Sequence, residues 1–388
     1  MDLTGDLIRD LPDDEIRDAL PLKWGSVEPG TVPCFVAEMD FALAEPVADA
    51  VAAAVRRGTA GYAPFGDLGV GEAFAGWSRR HWGHEVDPAS TVVVGDVIAG
   101  IRLVLEVLCP PGPVVVPLPC YPPFRDVVAL AGREAVWVST DPDAADHDAT
   151  ALDLAAVERA FADGARTLLL CNPHNPLGRT PRRAELEALR DLARRFDARV
   201  VSDEIHGPLV LPGGEEFTPY LDVDERGLCV TSASKTFNTA GLHCAVVVAP
   251  EASEQAALRG VPLPQNHAYS PLGMIAAQVA WTQGDAWRAA LVGRLARQRD
   301  LLADLLAEHL PAARARRLEA TYLPWLDLRA YGHEDPAARA RDHGVAPAPG
   351  HAYQPGLRGH VRLNVATSPE RLRLMVERLA AAVVPQPA

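Results

Sequence analysis

Thr231-Ser232-Ala233-Ser234-Lys235-Thr236-Phe237-Asn238 lies between two short apolar runs, Leu228 to Val230 and Ala245 to Ala249. Its lysine is one of only two in the chain, the other being Lys23, among 37 basic residues. Arginine replaces a surface lysine in almost every role except one. It stays protonated, whereas a desolvated lysine can lose its proton and attack a carbonyl. A lysine in a Ser-rich turn at a strand end is therefore a candidate Schiff-base residue. The alternative reading of this octapeptide alone is an exposed turn lysine.

Outward from this stretch, short apolar strands alternate with amphipathic helices. Strands are expected at Thr91–Val94, Val114–Val116, Glu134–Val138, Thr167–Cys171, Arg199–Ser202 and Leu228–Val230, with helices between them. Thr180 is expected as the N-cap of the helix after Thr167–Cys171, with Pro181 at its first position. Alternation of this kind predicts a mainly parallel sheet covered on both faces. A long helical stretch is expected from Ser270 to Leu310, followed by two strands (Ala320–Leu328 and Gly359–Val365) and the helix Pro369–Val383. The Ala-, Pro- and Gly-rich region 335–359 reads as loop. At 388 residues the chain exceeds a single core. The expected division is an N-terminal arm (1–44) joining a small C-terminal α+β domain (286–388), with a large domain (45–285) between.

The formal charge of −14 argues against a general phosphate-backbone binder, which needs clustered cations, but permits a small anionic ligand. Six scattered cysteines show no metal-ligand spacing and read as small buried hydrophobes of a reducing compartment. The first twenty residues lack a basic stretch followed by an apolar core, and no apolar run reaches the ~18 residues of a membrane span. A cytoplasmic location is expected, with neither nucleic acid nor membrane as partner.

In an open α/β sheet, ligands gather at the carboxyl ends of the strands. Following each strand in turn gives Gly95-Asp96-Val97-Ile98 opening a helix, Tyr121, Asn172-Pro173-His174-Asn175-Pro176, Asp203-Glu204-Ile205-His206, and Ser232-Ala233-Ser234-Lys235. Each is an ordinary turn or cap by itself. Together they supply an anion cradle, an aromatic plate, an amide, a carboxylate and an amine, the parts needed to hold a phosphorylated aromatic aldehyde. Lys235 would bond the aldehyde and Asp203 would pair with a pyridinium nitrogen. Tyr121 would stack on the ring, and Asn175 would donate to its phenolate oxygen. The N–H groups near Val97 and Ile98, with Ser232 and Ser234, would take the phosphate. His174 and His206 read as orienting histidines at the site's edge, not as metal ligands; no metal is expected.

These residues resemble the fold type I pyridoxal-phosphate enzymes, within them the cystathionine β-lyase-like (MalY/PatB-type) branch of the class I/II aminotransferase superfamily. The resemblance rests on VAEMDF (36–41), Gly61-Tyr62, LPCYPPF (118–124), LCNPHNPLG (170–178), SDEIH (202–206), SKTFNTAGL (234–242), ATYLPW (320–325) and Arg362-Leu363-Asn364, and spans about Trp24 to the end. It implies an α/β fold with a seven-stranded sheet, pyridoxal 5'-phosphate on Lys235, and cofactor contacts from Asp203, Tyr121, Asn175 and His206. It implies that Arg362 grips an amino-acid α-carboxylate, and that Tyr62 reaches across a homodimer interface to the neighbouring cofactor and substrate. Three positions depart from the family's pattern: Asp96 after Gly95, His243 where many aminotransferases have arginine, and Glu38 for aspartate.

The expected reaction is β-elimination from cystathionine or another cysteine S-conjugate, giving thiol, pyruvate and ammonia. Transamination uses the same residues. Decarboxylation or oxidative deamination of a cysteine conjugate, and a regulatory protein that keeps the cofactor without turnover, are the remaining alternatives.

Overall fold

The computed structural model describes residues 7–64, 66–139 and 152–385. The first six residues of the expected arm and the last three of the chain lie outside them.

Twelve strands are described, in two sheets. In chain order they are β1 (Val32–Cys34), β2 (Thr91–Val94), β3 (Val114–Leu118), β4 (Ala135–Ser139), β5 (Thr167–Cys171), β6 (Arg199–Asp203), β7 (Leu228–Thr231), β8 (Ala245–Val248), β9 (Arg314–Ala315), β10 (Trp325–Asp327), β11 (Val345–Pro349) and β12 (His360–Arg362). The larger sheet has the order β2-β8-β7-β6-β5-β3-β4. Its strands β3 to β7 are mutually parallel, and β8 runs antiparallel to both neighbours. Because β2 is antiparallel to an antiparallel strand, it points the same way as β3 to β7. Six carboxyl ends therefore share one edge. Every residue of β2, β3, β5, β7 and β8 is buried, as befits Val- and Leu-rich runs covered on both faces.

The helix Val97–Val107 lies on this sheet against β2, β6, β7 and β8. The approach is close at Gly100, where an added Cβ would come 2.7 Å from Val230 Cγ1. The helix starts at Val97, because the Asp96 carboxylate caps it by accepting from Ala99 N at 2.8 Å.

The smaller sheet has the order β1-β11-β12-β10-β9. The arm strand β1 pairs parallel with β11, so residues at both ends of the chain share one sheet. The region 335–359, read as loop, instead holds the helix Pro336–Asp342 and β11. Asp335 caps that helix and Ala337 and Ala340 form its buried face. The Ala/Pro composition hid this short amphipathic pattern.

Three further expectations are corrected. The long helix is broken into Pro271–Gln283 and Asp285–His309 at Gly284, where an added Cβ would sit 2.3 Å from the Phe237 ring. Thr180 is not an N-cap. The helix spans Arg183–Arg195, Glu185 Oε2 accepts from Arg182 N, and Thr180 N donates to Glu319 Oε2. The strand expected over Ala320–Leu328 is only Trp325–Asp327, since Thr321 takes the left-handed region at φ 71° and interrupts extended chain. Among the described residues no helix is long and apolar enough to cross a membrane.

Candidate active site

A cavity of about 240 Å³ opens at the shared carboxyl edge of the larger sheet. Gly95, Asp96, Val97 and Ile98 line it from beyond β2, Tyr121 from beyond β3, Asn175 from beyond β5, Asp203, Ile205 and His206 from β6 and its exit, and Ser232, Ser234 and Lys235 from beyond β7. The geometry thus gathers nine of the predicted residues into one space. Tyr62 is not among them. It is 92% exposed, with its ring 6.2 Å from that of His267.

Lys235 sits in the short helical turn Ser234–Phe237, and Asn238 ends that turn at φ 56°. Its Nζ donates to the Ala37 carbonyl oxygen at 3.2 Å. Burial, with the Arg362 cation adding to it, lowers the Lys235 amine to about 8. A sizeable share of the amine is therefore neutral near physiological pH, as a nucleophile or base requires.

Asp203 ends β6, is buried, and accepts from Ile205 N at 3.1 Å. Burial pushes its carboxyl up to about 7. Among the described residues no cation hydrogen-bonds to it, although the Lys235 charge acts on it, so it is suited to a ligand that brings a positive charge. His206 is likewise buried, and desolvation lowers it to about 3, so the ring is neutral. Its Nδ1 has no partner.

The start of the helix Val97–Val107 presents free N–H groups to the cavity. The Asp96 carboxylate is engaged with Ala99 N, which reconciles an acidic side chain with an anion cradle. Ser232 Oγ donates to Cys244 O at 2.7 Å and accepts from Ser234 N at 3.1 Å. Its own hydroxyl proton is thereby committed, leaving Ser234 as the freer hydroxyl. Tyr121 packs edge-on against Phe124, with ring centroids 5.8 Å apart.

Arg362, on β12, reaches the site from the smaller sheet. Its Nη1 donates to Asn175 Oδ1 at 3.1 Å, its Nη2 donates to Phe35 O at 2.6 Å, and its guanidinium lies 5.0 Å from the Tyr353 ring centroid. Its Nε is buried without a partner.

The run Pro33 to Phe41 reads in the sequence as an extended arm laid over another surface, and the structure adds what that surface is. Residues 35–40 form a strap that meets Lys235 at the Ala37 carbonyl and is held by side chains from three parts of the chain. Asn238 Oδ1 accepts from Met39 N and its Nδ2 donates to Met39 O. Asn364 Nδ2 donates to Val36 O and Glu38 O. Lys23 Nζ donates to Glu38 O and pairs with Asp40 at 2.8 Å. The available signal was the run VAEMDF itself, whose function lies in its backbone carbonyls and so leaves little trace in side-chain chemistry.

The family model for aminotransferase class I and II matches residues 36–379. The cystathionine β-lyase of Corynebacterium glutamicum is 34% identical over 95% of this chain and 98% of its own. The cystathionine β-lyase PatB of Bacillus subtilis (strain 168) is 32% identical over 91% of this chain and 92% of its own. The solved structure of the PLP-bound C–S lyase from Staphylococcus hominis is similar with a TM-score of 0.86 and 25% identity, covering 97% of each chain.

Proposed function

Since this chain belongs to the class I and II aminotransferase family, we propose that it is a pyridoxal 5'-phosphate-dependent C–S β-lyase. It would convert cystathionine or another cysteine S-conjugate, with water, to a thiol, pyruvate and ammonia. The observation that carries the reading is a desolvated amine lowered to about 8 in the same cavity as a buried carboxyl raised to about 7. The relatives named cystathionine β-lyase at 32–34% identity supply the reaction class.

The residues present fit the cofactor. His206 Nδ1 is an orphaned polar atom in the cavity wall, and the carboxyl of Asp203 awaits a cation. When bound, the cofactor supplies an aldehyde for reversible bonding to amines and a ring that withdraws electrons from the substrate Cα. Lys235 would hold it and, when free, would serve as the base at Cα. Asp203 would keep a proton on the ring nitrogen, Tyr121 would contact the ring, and Asn175 and His206 would contact its polar substituents. Val97 and Ile98 N–H groups, with Ser234 and the Ser232–Ser234 turn, would hold the phosphate.

Arg362 grips the α-carboxylate through its planar fork, exchanging its Phe35 contact for the substrate. The strap over Lys235 limits water at Cα. The chain works as a homodimer in which Tyr62 of each copy reaches the other's site; its 92% exposure in the single chain supports this. The division into an arm and small unit (1–44 with 286–388) and a large unit (45–285) belongs to the same proposal, with the site between them.

The test compares wild type with Lys235→Ala. Wild type should show the visible absorbance of bound cofactor, become covalently labelled on borohydride reduction, and release thiol and pyruvate from cystathionine. The variant should do none of these. Amino-group transfer to a 2-oxo acid without thiol release would instead mark a transaminase.

A further inference from the structure

Two donors from distant parts of the chain meet on one main-chain oxygen. Lys235 Nζ donates to Ala37 O at 3.2 Å, and Tyr322 Oη donates to the same atom at 3.1 Å. Tyr322 is fully buried. It follows Thr321, whose φ of 71° is a conformation that β-branched residues rarely adopt. That backbone is held by Thr321 N donating to Leu209 O and Thr321 Oγ1 accepting from Leu323 N. The acceptor is equally fixed, because Asn238 and Asn364 clamp the residues on either side of Ala37. Strain of this kind persists only where the surroundings over-determine it, and it marks positions whose placement matters.

We propose that Tyr322 is a positioning residue for Lys235: by sharing the Ala37 oxygen, it weakens that oxygen's hold on the ammonium form and keeps the lysine available as a neutral amine. A carbonyl already polarised toward one donor offers less to a second. An ammonium loses more by this than an amine does, because the charged donor makes the stronger bond. The hydroxyl also holds the oxygen in place when Lys235 leaves it. The other charged or titratable groups facing Lys235 are Arg362 from β12, Glu38 on the strap, and Asp203 and His206 from β6 and its exit. None of these bonds to Ala37 O among the described contacts. The proposal rests on Lys235 being the reactive amine of the function argued above.

The measurement is the pH dependence of Lys235 acylation by acetic anhydride in the cofactor-free full-length chain, followed by peptide mass. Lys23 is fully buried and paired, so the two lysines separate cleanly. Tyr322→Phe should raise the midpoint by about half a unit, the size expected for one modest hydrogen bond. An unmoved or lowered midpoint overturns the proposal. Should that variant fail to fold, uniform 3-fluorotyrosine incorporation makes the shared donor stronger and should lower the midpoint; no change or a rise overturns it. Both proteins are then titrated with pyridoxal phosphate. A wild type that takes up no cofactor at Lys235 sinks the functional reading, whereas normal uptake with an unmoved midpoint sinks only the role of Tyr322.

Discussion

Arg362 Nη1 donates to Asn175 Oδ1 at 3.1 Å, so a residue of the smaller sheet touches one that borders the cofactor cavity of the larger. The bond turns the Asn175 carbonyl toward the arginine and leaves its amide N–H groups for the cavity. The guanidinium therefore orients the amide.

Replacing Arg362 by alanine should lower kcat/KM for a cysteine S-conjugate by roughly 10²–10³, the cost of losing one partner of a desolvated, bidentate ionic contact. Most of the loss should vanish in a comparison of substrates without the α-carboxylate. Steady-state kinetics on a cysteine conjugate and its cysteamine counterpart, in wild type and variant, provide the check. An equal loss on both would mean that Arg362 acts on the fold instead.

Asp203→Asn should lower kcat by about 10²–10³, because asparagine cannot hold a proton on a ring nitrogen against its ordinary acidity. It should also change how the cofactor-free protein responds to pH. Burial raises the Asp203 carboxyl from 3.8 to about 7. A carboxyl raised on folding favours the folded state below the unfolded pKa, and that advantage is lost as pH rises through about 7. The variant lacks this term. Its denaturant midpoint should therefore gain on wild type between pH 4 and pH 7 and hold a constant difference above that. Glu204, also raised to about 7 by burial, remains in both proteins and largely cancels in the comparison.

The larger sheet was legible because its strands are short apolar runs, and because the turns after β2, β3, β5, β6 and β7 carry the candidate residues at one edge. Site residues that act through side chains, such as Lys235, Asp203 and Asn175, could be named from those turns. The arm over 33–41 could be read as extended, but its contact with Lys235 could not. Ala37 contributes a carbonyl, and Lys23 acts through Asp40 in a fold-dependent pairing that spacing does not reveal. Gly284 likewise hides its reason, since only the packed Phe237 ring and Ala280 O show why no Cβ fits there. Tyr62 is exposed in the single chain, so the proposed role would depend on a surface supplied from outside.

That dependence makes Tyr62 testable by complementation. Tyr62→Ala and Lys235→Ala should each be nearly inactive alone. Mixed under conditions that exchange subunits, half of the dimers are hybrids. Each hybrid has one site with an intact Lys235 facing an intact Tyr62, so activity should return to roughly a quarter of wild type. Mixtures that stay inactive, with subunit exchange confirmed by mass, would place Tyr62 in its own chain's site; an active Tyr62→Ala would place it outside catalysis.

Lys23 and Asp40 form an ion pair at 2.8 Å with both side chains 1% exposed. Lys23 also donates to Glu38 O, and Trp24 Nε1 donates to Asp40 Oδ1. The pair thus ties the strap's far end to the arm beneath it. Lys23→Met keeps the apolar stem but strands a buried carboxylate, which should cost about 3–5 kcal/mol in chemical denaturation. Adding Asp40→Asn removes the stranded charge while leaving an acceptor for Trp24, and should recover most of that loss. The double variant should still show weakened cofactor retention, because Glu38 O has lost its lysine and the strap's hold on Ala37 is looser. Recovery of stability with unchanged cofactor retention would mean that the pair serves the core alone. A single variant costing less than about 1 kcal/mol would mean that water reaches Asp40, against the burial on which the argument depends.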